Sequence, residues 1–105
     1  MFKVDDYKKI TMNEGDFGLI LPISFSDFLN GDTVTVLIKD KKDETIKLLN
    51  KEFTVQNNKI DFILTEEETS KLKKGTYLYG IKQYRVGQLK NTIATDNIFE
   101  VEEGE

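Results

Sequence analysis

The residues with most chemical potential are carboxylates. Asp40, Asp43 and Glu44 fall close together in the chain, a density at which one flexible loop can wrap a hard cation in oxygen ligands. Lys39, Lys41 and Lys42 are interleaved with them and would oppose a cation, so the stretch reads as a solvated loop of mixed charge. Asp61 with Glu66, and Asp5 with Asp6, are the pairs to test against a glycosidase, which needs two carboxyls about 5 to 10 Å apart across a cleft. No feature of the pattern predicts a cleft. The chain contains no histidine and no cysteine, which removes the usual acid/base group near neutral pH, thiolate chemistry, disulfides and most zinc sites. An enzyme is not expected, and no cofactor or metal is assigned.

Binding chemistry remains. A net charge of −4 disfavours nucleic acid, whose phosphates are normally met by clustered lysine and arginine. No apolar run approaches the roughly 20 residues that span a bilayer, and the first residues lack the apolar core of a signal peptide. No membrane partner and cytoplasmic synthesis are therefore expected. Sugars stack on aromatic platforms; the chain has no tryptophan, which leaves Tyr7, Tyr84 and Phe28 as candidates, although an aromatic in a small β-domain more often completes the core.

The elements that must position these residues are mostly strands. The 105 residues suit one domain with one core, 1–105. Short β-rich runs separated by turn signals recur every ten to fifteen residues, the rhythm of an all-β sandwich or barrel. The first covers Tyr7 to Met12. The second, Phe17 to Phe25, places Phe17, Leu19, Leu21, Ile23 and Phe25 on one face, expected to be core. Pro22 interrupts it, so a bulge or pairing shift is expected there. Thr33 to Lys39 alternates with Val34, Val36 and Ile38 inward. Ile46 to Leu49 and Phe53 to Val55 read as a short pair or one irregular strand. Asn57-Asn58 turns the chain into Lys59 to Leu64, with Ile60, Phe62 and Leu64 inward. One short helix follows, Glu66 to Lys74, opened by the capping-box pair Thr65 and Glu68 and anchored by Leu72. Thr76 to Tyr84 and Thr92 to Val101 are the last strands, the second interrupted near Asp96-Asn97, before a loose acidic tail, Glu102 to Glu105.

A short helix, a turn glycine and tyrosines opening the next strand, here Leu72, Gly75, Tyr77 and Tyr79, match the sixth strand of an immunoglobulin-like sandwich. In that fold a tyrosine near the strand start returns its hydroxyl to backbone upstream. Tyr77 is the candidate; the alternative is two ordinary strand tyrosines. The order of runs gives about seven strands, with the helix between the fifth and sixth.

Gly15-Asp16, Leu64-Thr65 with Thr69, Leu72 to Tyr79, Thr92-Ile93 and Phe99 to Val101 form a pattern that runs over most of the chain. In that pattern the chain resembles a group of small phage and prophage proteins. The matching segments are fold motifs rather than active-site motifs, and Gly80 stands where the pattern usually has aspartate. The resemblance implies an immunoglobulin-like module in a virion, tail or baseplate-associated protein.

Alternation also sends residues outward. If Val34, Val36 and Ile38 face the core, and Tyr77, Tyr79 and Ile81 do the same on their strand, then Leu37 and Leu78 share the outer face, with Ile98 joining from the last strand. Flanked by Thr35, Gly80 and Tyr84, this stripe is either a contact surface or a set of scattered surface apolar residues, or it is covered by the N-terminal segment. The reading is an all-β, immunoglobulin-like, non-catalytic structural or interaction module that binds a protein partner or a second copy through Leu37, Leu78, Ile98 and Tyr84. The alternative is a carbohydrate-binding β-sandwich module.

Overall fold

The computed structural model describes residues 2–4 and 8–104. Among the described residues eight strands form two sheets: β1 (Lys3–Val4), β2 (Ile10–Asn13), β3 (Gly18–Ser24), β4 (Thr33–Asp40), β5 (Lys47–Thr54), β6 (Lys59–Leu64), β7 (Gly75–Arg85) and β8 (Gln88–Glu102). The large sheet has the order β1-β2-β8-β7-β4-β5 and the small one is β3-β6. The β2/β8 pair is parallel, and the other pairs are antiparallel.

Strict alternation builds the core. Val34, Val36 and Ile38 on β4 and Phe62 and Leu64 on β6 are fully buried. Ile10, Met12, Phe99 and Val101 add β2 and the end of β8 to the same cluster. Phe62 and Phe99 are each sealed from solvent, and burying a side chain of that size contributes roughly 1.5 to 3 kcal/mol.

Strand β3 departs from the alternation read in the sequence. The register slips between Leu19 and Leu21, so Ile20 is the extra residue of a bulge and the parity inverts there. Ile23 is buried, Leu21 and Ile20 are half-buried against the core, and Phe17 and Leu19 are 56% and 54% exposed. Phe25 is also exposed. Pro22, where the irregularity was expected, pairs in register with Asp61.

The helix is one turn, Glu66–Thr69, shorter than the expected Glu66 to Lys74. Its start is as read: Thr65 accepts from the Glu68 amide and Glu68 from the Thr65 amide. It stops because the Thr69 and Ser70 hydroxyls donate to the carbonyls of Glu66 and Glu67, and the Leu72 amide closes a tight turn onto Thr69. Leu72 is the buried anchor.

Within the stretch 46–55 a single strand, β5, pairs with β4 along Lys47–Thr54. Asn57 and Asn58 both have positive φ, and Gln56 and Lys59 exchange backbone hydrogen bonds across them, so the asparagine turn forms as read. Strand β8 runs through the expected interruption near Asp96-Asn97, kinked at Asp96 with φ 50°.

Candidate interaction surfaces

The outer face of the large sheet carries the residues singled out in the sequence. Leu37 pairs with Gly80, and Leu78 lies between Lys39 and Ile98. Leu78 is buried yet lies outside the core cluster, which places it on the outer face, as alternation requires. It is not an exposed stripe residue, however, being only 8% accessible. Its neighbour Lys39 explains this. The Lys39 ammonium lies 3.0 Å from Asp96 on β8 and 3.0 Å from Glu44. Because β7 separates β4 from β8, reaching Asp96 lays the aliphatic stem of Lys39 over β7 beside Leu78. Glu44 and then Asp96 raise the Lys39 pKa above its ordinary value. Leu37, Ile98 and Tyr84 are half-buried.

What this face offers is an open groove of about 420 Å³. Its floor is Leu37, Thr35 and Gly80; Lys47, Lys82 and Tyr84 stand around it. Gly80 has a steric reason to lack a side chain, since a Cβ there would sit 3.3 Å from the Ala94 carbonyl oxygen, where the β7/β8 register shifts.

The second surface is the outer face of β3-β6. Leu19 lies opposite Ile63, which is 40% exposed, and Phe17, also exposed, stands just before the strand begins at Gly18. Leu19 and Ile63 are cross-strand neighbours, and both are solvated. Glu66 and Glu67, both exposed, follow directly on the end of β6. The edges of this small sheet are guarded. On β6, the Lys51 ammonium donates to the Ile63 carbonyl at 2.7 Å and to Glu68 at 2.8 Å. On β3, the bulge and Pro22 disrupt the row of donors and acceptors that an added strand would need.

A polar cluster that sequence reasoning missed pins the loop between β3 and β4. Asp32, 3% exposed, accepts from Arg85 Nε at 2.9 Å and Nη2 at 2.9 Å, from Gln83 Nε2 at 2.8 Å and from the Leu29 amide at 2.9 Å. Asn91 ties Gln83 Oε1 to the Asp27 carboxylate. Arg85 first, with help from Leu29 and Gln83, holds the Asp32 carboxyl far below the usual carboxylate range despite its burial. The available signal was Gln83 itself: it follows Tyr77, Tyr79 and Ile81 at core parity on β7, and a buried amide requires partners. Among the described residues every buried side-chain polar atom has one. With its valences filled internally, the cluster is a structural clamp.

The other candidates fall into local roles. Asp43 accepts from the Thr45 amide and hydroxyl, and Asp40 from the Lys42 amide, so the acidic loop uses its oxygens to shape its own turn. No group of three or more acidic side chains converges on a metal position among the described residues. Asp61 lies 4.0 Å from Lys59, and Glu66 opens the helix. Phe28 is core, 1% exposed, with its ring 5.8 Å from that of Phe25. Tyr7, with Asp5 and Asp6, lies outside the described residues. The Tyr77 hydroxyl donates to the Lys73 carbonyl at 2.6 Å, four residues upstream, and the Tyr79 hydroxyl donates to the carbonyl of Lys8.

Searches against family models, curated proteins and solved structures find no match to this chain.

Proposed function

We propose that the chain is an immunoglobulin-like sandwich acting as a non-catalytic protein-interaction module, of the kind found in phage and prophage virion, tail or baseplate-associated proteins. The observation that carries the interaction role is the exposure of the cross-strand neighbours Leu19 and Ile63 on the outer face of β3-β6, with the exposed Phe17 at the start of β3. Large apolar side chains held in water at the surface of a sheet lower the free energy when a partner covers them. The guarded edges of the small sheet favour docking through faces over strand addition.

The immunoglobulin-like assignment draws on the pairing pattern. The order β8-β7-β4-β5 beside a separate β3-β6 pair supports the reading, in which these strands correspond to G, F, C and C′ and to B and E. The Tyr77 bond to Lys73 has the form of the tyrosine corner. The phage setting rests on the sequence resemblance described above.

Sedimentation velocity of the wild type and of Leu19→Glu, from about 10 μM to 1 mM, tests the reading. Self-association, or binding to a purified protein partner, that Leu19→Glu abolishes supports it. A wild type that stays monomeric and binds saccharides in a Tyr84-dependent way supports the carbohydrate-binding alternative and overturns it.

A further inference from the structure

The two outer surfaces differ in shape and in charge. The β3-β6 face projects Phe17, Leu19 and Ile63, with the carboxylates of Glu66 and Glu67 beyond the end of β6. The large-sheet face is hollowed over Leu37 and Gly80, with Lys47 and Lys82 at its margin. Among the described residues these two lysines and these two glutamates have no ion-pair partner. In a sandwich the two outer faces point in opposite directions.

We infer that copies of this chain associate head to tail, the Phe17–Leu19–Ile63 face of one copy seating in the Leu37–Gly80 groove of the next, with Glu66 and Glu67 meeting Lys47 and Lys82. The inference rests on the interaction-module reading and supplies the partner: a second copy. Charge complementarity selects this occupant. Two copies meeting through the β3-β6 face would oppose glutamates to glutamates, and two meeting through the groove would oppose lysines to lysines, whereas face against groove pairs opposite signs. An interface between unlike surfaces leaves each terminal copy with one unused half, so the assembly either closes into a ring or extends. Three apolar side chains and two ion pairs fall short of a permanent interface, so assembly depends on concentration and weakens with salt.

Mixing variants distinguishes this geometry from a symmetric dimer. Leu19→Glu spoils the projecting face, and Lys47→Glu with Lys82→Glu spoils the groove; all three positions are exposed, so folding is retained and is checked by thermal melting. By sedimentation velocity up to about 1 mM, each variant alone is expected to be monomeric. Their mixture is expected to form a one-to-one dimer and nothing larger, because only one good face and one good groove remain. Adding Glu66→Lys and Glu67→Lys to the groove variant is expected to restore self-association. A wild type that assembles while the mixture stays monomeric refutes the head-to-tail geometry and leaves the module reading standing. A wild type that is monomeric throughout refutes the inference outright, and its saccharide binding would separately decide the module reading.

Discussion

Replacing Tyr77 by phenylalanine removes one oxygen and leaves the ring. The ring is 8% exposed and belongs to the core cluster, so its packing persists and the variant isolates the hydroxyl. That hydroxyl donates to the Lys73 carbonyl at 2.6 Å, fastening the turn after the helix to the start of β7. A hydrogen bond of this kind contributes about 1 kcal/mol net, because the lost bond is partly replaced by water on the carbonyl. For a domain of this size, 1 kcal/mol moves the midpoint by roughly 4 to 8 °C. Differential scanning calorimetry of Tyr77→Phe should therefore show a Tm lower by about 5 °C, with the urea m-value unchanged because the surface exposed on unfolding is the same. The pH dependence adds a second signature. Burial raises the Tyr77 pKa above its ordinary value, and the nearby charges of Asp40 and Glu14 add to the shift. With the folded pKa above the unfolded one, the stabilisation is complete below the unfolded pKa of about 10 and declines as pH rises through and beyond it. That alkaline decline should shrink in Tyr77→Phe. A Tm within about 1 °C of wild type would refute the fastening role and remove the tyrosine corner from the case for an immunoglobulin-like fold.

Three further outcomes follow from the same structure. Val86 has φ 52° in the two-residue turn between Arg85 and Gln88, a conformation that β-branched residues resist; Val86→Asn, matching the Asn-Gly preference of such turns, should gain about 1 kcal/mol, read as a raised urea midpoint. The Asp32 carboxyl is held low by Arg85, so its contribution is present above the unfolded pKa of about 3.9 and is lost as pH falls below it; Asp32→Asn should flatten the acid limb of a Tm-against-pH profile, and an unchanged limb would refute the clamp. Leu78 is covered while Leu37 lies on the groove floor, so Leu78→Lys should cost about 2 kcal/mol or more, whereas Leu37→Lys should stay within about 1 kcal/mol because lysine can extend its ammonium into the groove; chemical denaturation of both variants would reverse the assignment if the order were opposite.

The parts of the fold legible in the sequence are those governed by local rules. Alternation in Val34, Val36 and Ile38, and in Ile60, Phe62 and Leu64, has one reading, and both sets are buried. The capping box and the Asn57-Asn58 turn are set by side-chain chemistry within a few residues. Alternation fails at β3 because a bulge costs one residue of register; Pro22 marks the strand as irregular, but the extra residue is Ile20, two positions earlier and as apolar as its neighbours. That inversion turned Phe17 and Leu19 from expected core into the most exposed apolar face of the small sheet, so the surface proposed for docking was hidden by the same rule that located the core. The helix was drawn too long because hydroxyl-to-carbonyl bonds at Thr69 and Ser70 compete with the helix interior. The Asp32 clamp joins residues more than 50 positions apart in the chain, beyond the reach of periodicity. Gln83 at core parity was the one visible trace. The outer-face placement of Leu37 and Leu78 followed from alternation, but the cover over Leu78 depends on Lys39 reaching across β7 to Asp96, a tertiary ion pair.

The most direct test of the account is the dependence of sedimentation coefficient on concentration for the wild type beside Leu19→Glu, with a purified candidate protein partner added in a parallel series. The wild-type coefficient is expected to rise with concentration and to rise less with added salt, while Leu19→Glu is expected to sediment as a monomer throughout with an unchanged Tm. A wild type that remains a monomer at about 1 mM, with or without the partner, would contradict the claim that the Phe17–Leu19–Ile63 face exists to be covered.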